Sequence, residues 1–243
     1  MKDKKMSLAK ASKELMMIEP YYGFFLIMLN KIWTKKLVPT AGVGKNGINY
    51  QLCINEDFWE TLDNKKEMGL LKHELLHIAF NHLTHFNFQD KQLANIAMDM
   101  EINQYIDKTW LPEDGIFIEN YADLELEEKR GCRYYYEELI KAKEKKDDPK
   151  GNGTSGCGEF DKLCDSIDQG NNPVKNHDAW KDFEDLSETE KKLIKKQIQR
   201  LIQQASEMTE AKARGTTPGE IKNLIEIEEV VPPKFDWKNY VKR

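Results

Sequence analysis

Apolar residues recur three and four positions apart along most of this chain. From Ser7 to about Trp33 the spacing is helical and broken at Pro20, with Tyr21, Phe24, Phe25, Met28 and Leu29 placed for core packing. The next stretch, KKLVPTAGVGKNGINYQLCIN, changes character: LVPT and INYQLCIN flank a turn containing Asn46-Gly47, the signal of a hairpin. Residues 64 to 86 and 90 to 108 read as two helices, the second starting near Asp90. After Pro112 a loop leads to RYYYEELIKAKEKK, a further helix, which fades into a run rich in Gly, Asn, Asp and Ser. Ser187-Glu188-Thr189-Glu190 is a capping box. The helix it opens runs to about Arg214, is closed by Gly215 and carries one apolar stripe with lysines elsewhere, a solvated basic face. The pattern predicts an α+β fold that is mainly α-helical, with a small β element just ahead of the helix at residues 64–86. Its expected organisation is a core at 1–145, a flexible linker or surface excursion at 146–178 and a C-terminal helical segment at 179–243 that packs on the core.

One helix does not fit a simple core. Residues 73 to 82 read HELLHIAFNH, with Leu70, Leu71, Leu75, Leu76, Ile78, Phe80 and Leu83 around three histidines and a glutamate. Burying such groups is costly unless each has a partner. His73 and His77 are four residues apart, so at about 100° per residue they point the same way and can reach one ion. Zn²⁺ accepts nitrogen ligands in a tetrahedral site, and three protein ligands leave a fourth position for water. Glu74 lies beside the pair, where its carboxylate can take a proton from that water.

The third ligand is open between two candidates. His82 lies about 180° from His73 if the helix stays straight, and His85 about 120° away, so neither joins the pair without a break. The following helix offers Asn95, Asp99 and Asn103, spaced by four and stacked on one side. Asp99 would complete a His-His-Asp site, with Asn103 or Asn95 as hydrogen-bond partners of the ligands and His82 as an alternative ligand or an orienting group. Glu101, Gln104 and Lys108 fall in a different sector, read as facing solvent. His/carboxylate sites also take Mn²⁺, Fe²⁺ or Ni²⁺.

The remaining chemistry is weaker. A tyrosine of the Tyr134-Tyr135-Tyr136 run could donate to an oxyanion, although interior packing or surface exposure is the leading reading of the run. His177, with Asp178 and Trp180, reads as a surface group. Cys157 and Cys164 do not have metal-ligand spacing.

Composition narrows the classes. A net charge of −5 argues against a general nucleic-acid binder, and four cysteines in 243 residues with no C-x-x-C pair point to a reducing compartment. The apolar run YYGFFLIML is too short to span a bilayer, so the expectation is a cytoplasmic protein with no membrane partner.

HELLHIAFNHLTH followed by NIAMDMEIN resembles the zincin-like metallopeptidase domain of bacterial and phage proteins that usually precedes a von Willebrand A-like domain. That family's pattern, H-E-x-x-H-x-x-x-x-H and then A-x-D-x-x-x-N, falls here on His73, Glu74, His77 and His82, then Ala97, Asp99 and Asn103. Fainter likeness runs from about Leu8 to Arg243. The resemblance implies a zinc peptidase acting on a peptide or protein substrate, with a MoxR-type ATPase or a von Willebrand A-like domain as partner in some relatives. It also implies, by analogy with zincins, that the strand at Asn49 to Asn55 pairs with the extended substrate. Such a tail usually leads into the latter domain, so a minimal form and a missing C-terminal domain are both readings. Two alternatives remain: a non-catalytic zinc-binding protein, and a metal-free helical scaffold or interaction protein of the kind phages carry.

Overall fold

The computed structural model describes residues 4–47, 49–85, 88–147, 159–168, 186–213 and 215–226. The fold is α+β and mainly helical, with one three-stranded sheet. Helix α1 (Lys4–Ile18) stops before Pro20, which opens α2 (Pro20–Met28) where its missing N–H costs nothing. The periodicity predicted helix to Trp33, but α2 ends at Met28, Leu29 turns extended, and residues 30–34 form β1 (Asn30–Thr34). Pairing with a distant strand overrides the local signal: β1 runs parallel to β3 (Asn49–Asn55), Ile32 opposite Cys53.

β2 (Ala41–Asn46) and β3 form the expected hairpin, Asn46 pairing with Asn49, and Gly47 supplies the left-handed φ of 64° that the turn requires. The strand before the turn is AGVGKN rather than LVPT, because Val43 and Leu52 then face the core in register. Strand order is β1-β3-β2, so β3 is central and has no free edge. The expectation that Asn49–Asn55 pairs with an extended substrate is therefore wrong; the sheet's edges belong to β1 and β2.

Asn55 caps α3 (Glu56–Thr61), and Asp63 caps α4 (Asn64–Ala79), the helix that carries His73, Glu74 and His77. Leu71, Leu75, Leu76 and Ile78 of α4 are almost fully buried, and each contributes about 2 kcal/mol by leaving water. Gly69 lets α4 lie directly against the 3-10 turn Lys108–Trp110: a Cβ there would stand 2.1 Å from the Trp110 carbonyl oxygen. Helix α6 (Lys91–Asn103), capped by Asp90, packs against α4 and against α7 (Cys132–Asp147).

Within the stretch read as linker, α8 (Glu159–Asp168) buries Phe160, Leu163 and Cys164 in a second core with Tyr121 and Tyr135. The Gly-rich segment before it, Cys157 included, lies outside the described residues, as do His177, Asp178 and Trp180. Ser187 and Glu190 form the expected capping box on α9 (Glu188–Lys212), which lays Ile194, Ile198, Ile202 and Ala205 on the core and packs on α2. A short α10 (Gly219–Glu226) follows. Among the described residues no helix is long and apolar enough to cross a membrane.

Candidate metal centre

The break that the straight-helix argument required is present. α4 ends at Ala79, and Asn81 takes a left-handed φ of 58°, a conformation that Asn tolerates better than most residues. A new helical turn, α5 (His82–His85), then brings His82 back beside His77. The rings of His73, His77 and His82 stack edge to face in series, with centroids 4.7 and 5.1 Å apart.

His73 Nε2 and His77 Nε2 face each other at 3.0 Å. Asp99, from the facing side of α6, completes the group: its Oδ1 lies 3.2 Å from His77 Nε2 and 3.5 Å from His73 Nε2. One ligand atom from each of the three lies within 4.8 Å of the others, and all three residues are buried. Spacing predicted that His73 and His77 share a face; of the two candidates left open for a third member, it is Asp99 whose oxygen lies against both of their Nε2 atoms and His82 that stands behind His77.

Hydrogen bonds outside the group direct its lone pairs inward. Asn103 donates its Nδ2 to the Ile116 carbonyl at 2.8 Å, which leaves Oδ1 to face His73 Nδ1 at 2.9 Å. An amide oxygen only accepts, so His73 carries its proton on Nδ1 and presents a bare Nε2 to the centre. His77 is held at Nδ1 by His82 Nδ1, 2.9 Å away, and again turns Nε2 inward. Two imidazole lone pairs and a carboxylate oxygen repel one another unless a positive charge lies among them. A divalent cation with nitrogen and oxygen ligands supplies that charge, and the set suits zinc and other borderline ions. The residues therefore fit a metal.

Glu74 is 2% exposed. Burial, and after it the charge of Asp99, push its carboxyl up to about 8. Burial, and after it the charge of Glu74, push the thiol of Cys53 on β3 up to about 11. The centre is nearly closed: His77 is 0% exposed, and the small residual exposure lies on His73 and Asp99.

The other candidates divide. Asn103 takes the expected place beside a histidine, whereas Asn95 is half-buried and makes no hydrogen bond to the group among the described residues. His82 touches His77 but turns its Nε2 away, towards Glu101 Oε2 at 3.0 Å. Glu101, read as solvent-facing, is buried, and also accepts the Cys132 backbone N–H at 2.9 Å. Gln104 is likewise half-buried and donates to the Tyr135 hydroxyl. The signal that could have found Glu101 is that α6 is apolar on nearly every side, as a helix packed on two faces must be. The tyrosine run does not reach the centre. Tyr134 and Tyr136 accept backbone N–H groups of Glu127 and Asp90, and Tyr135 donates to the Glu127 carbonyl.

Compared with known proteins, residues 3–243 match a family model described as "Putative metallopeptidase domain". No curated protein and no solved structure matches the chain.

Proposed function

The chain belongs to this metallopeptidase-domain family, whose name implies a metal ion, and from that premise we propose that it is a zinc-dependent peptidase with its centre at His73, His77 and Asp99. The observation that carries the reading is the convergence of those three ligand atoms beside a buried glutamate.

His73 Nε2, His77 Nε2 and Asp99 Oδ1 would hold the ion. When bound, zinc supplies a Lewis acid that makes water acidic near neutral pH and polarises a peptide carbonyl. Glu74 is the general base: its carboxylate accepts a proton from the attacking water and returns it to the leaving amine. The raised affinity of Glu74 for protons suits that cycle, since a base near neutral both takes and gives a proton. A cation held there would offset the charge of Asp99, the second of the two causes that hold Glu74 high, and so would favour the ionised carboxylate. Asn103 fixes the His73 ring, as outer hydrogen bonds do for metal-ligating histidines generally. A peptide or protein substrate, with entry from the side of His73 and Asp99, completes the reading.

The near-complete burial of the centre favours a second reading, a metal that organises the fold without catalysis. Glu74→Gln separates the two. A peptidase loses hydrolysis of an unfolded protein substrate by at least about a hundredfold and keeps its metal. In the structural case wild type and variant show the same metal content and no metal-dependent hydrolysis.

A further inference from the structure

His82, Glu101 and Cys132 form a second buried cluster, about one imidazole beyond the proposed centre, with one ligand atom of each within 4.8 Å of the others. It has the composition of a metal site, but its hydrogen bonds assign it another task. Glu101 comes from α6 and reaches the start of α7, where backbone N–H groups have no partner within the helix. There its Oε2 accepts the Cys132 N–H at 2.9 Å. Burial, and then Glu101, push the Cys132 thiol up, so it stays protonated. The second donor onto the same oxygen is the His82 ring, Nε2 to Oε2 at 3.0 Å. Two donors held by the protein itself satisfy the carboxylate without a cation.

The consequence runs towards the centre. As a carboxylate, Glu101 offers only acceptors, so the proton between it and His82 sits on His82 Nε2. A neutral His82 then has its lone pair on Nδ1, and that atom faces His77 Nδ1 at 2.9 Å. The hydrogen bond forms only if His77 carries its proton on Nδ1, and this leaves His77 Nε2 bare, facing Asp99 Oδ1 and His73 Nε2. On this basis we infer that Glu101, acting through His82, is a positioning residue that sets the tautomer and ring orientation of His77 for the metal. The inference rests on the peptidase reading for its purpose, and on hydrogen bonds alone for its geometry. It gives the two histidines different supports: a neutral amide, Asn103, behind His73, and a carboxylate-imidazole chain behind His77.

The test uses the full chain labelled with ¹⁵N-histidine and treated with chelator, its ring tautomers read by long-range ¹H–¹⁵N correlation. His73 and His77 are expected as Nδ1–H tautomers and His82 as Nε2–H. In Glu101→Met, which keeps the length but offers no acceptor, His82 loses its single tautomer. A fraction of His77 moves its proton to Nε2, and zinc affinity, measured by chelator competition, falls about 10- to 100-fold. Glu101→Gln places an amide oxygen where Oε2 stood and restores the wild-type tautomers and an affinity close to wild type. A wild-type His77 protonated at Nε2 overturns the inference without any variant, so failure of Glu101→Met to fold does not protect it. Unchanged tautomers and affinity in Glu101→Met overturn it too. A second equivalent of cobalt with a thiolate charge-transfer band also does so, by making the cluster a metal site through Cys132. Absence of metal binding in wild type would instead sink the peptidase reading, while the spectra still decide the relay.

Discussion

Replacing Glu74 by Gln changes stability in a direction that is unusual for a buried polar residue, and the pH dependence isolates the cause. In the folded, metal-free chain the Glu74 carboxyl ionises at about 8, held up by burial and then by Asp99, against an ordinary value of 4.5. A folded-state value above the unfolded one means that stability is fully present below about 4.5. It drains as pH rises and levels off above about 8. At pH 7 the unfolded chain has released this proton and the folded chain has not. The loss by then is about 1.4 kcal/mol per pH unit over the interval from 4.5, on the order of 3 kcal/mol. Glutamine has nearly the same shape and no such proton. Urea denaturation of chelator-treated wild type and Glu74→Gln between pH 5 and 8 should therefore show the variant gaining on wild type as pH rises, by on the order of 3 kcal/mol near neutrality. Parallel profiles across the range would refute the argument that burial and Asp99 hold Glu74 protonated.

Asn103→Leu removes the oxygen that fixes His73 Nδ1 and leaves the Ile116 carbonyl without its donor. It should lower zinc affinity about 10- to 100-fold in chelator competition, while fluorescence-monitored unfolding shows the chain still folded. Gly69→Ala sets a methyl group against the Trp110 carbonyl, a backbone atom that cannot swing aside. Denaturation should report a loss of about 3 kcal/mol or more, against well under 1 kcal/mol for Gly219→Ala, where a Cβ meets nothing. Ser187→Ala breaks the capping box of α9 and should cost about 1 kcal/mol in the same assay without moving metal affinity.

What the sequence made legible is what depends on neighbours along the chain. The spacing of four set His73 beside His77 and stacked Asp99 with Asn103, and the capping residues Asp90 and Ser187 open α6 and α9 where the pattern placed them. Asn46-Gly47 marks the hairpin, although the strand before it, Ala41–Asn46, lies one segment later than the LVPT that the apolar pattern predicts. What escaped depends on contacts between distant segments. β1 is a strand because β3 lies beside it, and Ile32 and Trp33 continue a helical spacing right up to that pairing. Glu101 lies about 160° round α6 from Asp99, and a helix covered on one face would leave it in water. α7 covers the other face as well and turns Glu101 into the anchor of His82. Local chemistry could have warned of the break after Ala79, since Asn81 is a residue that accepts a left-handed backbone, but the apolar spacing through Leu83 concealed it.

The decisive measurement is the metal content, by mass spectrometry, of the chain purified without added metal and without an affinity tag, beside a His73→Ala/His77→Ala double variant. About one zinc per chain in wild type and none in the variant is the predicted result. A wild-type chain that holds no divalent metal, even after zinc is offered, would contradict it.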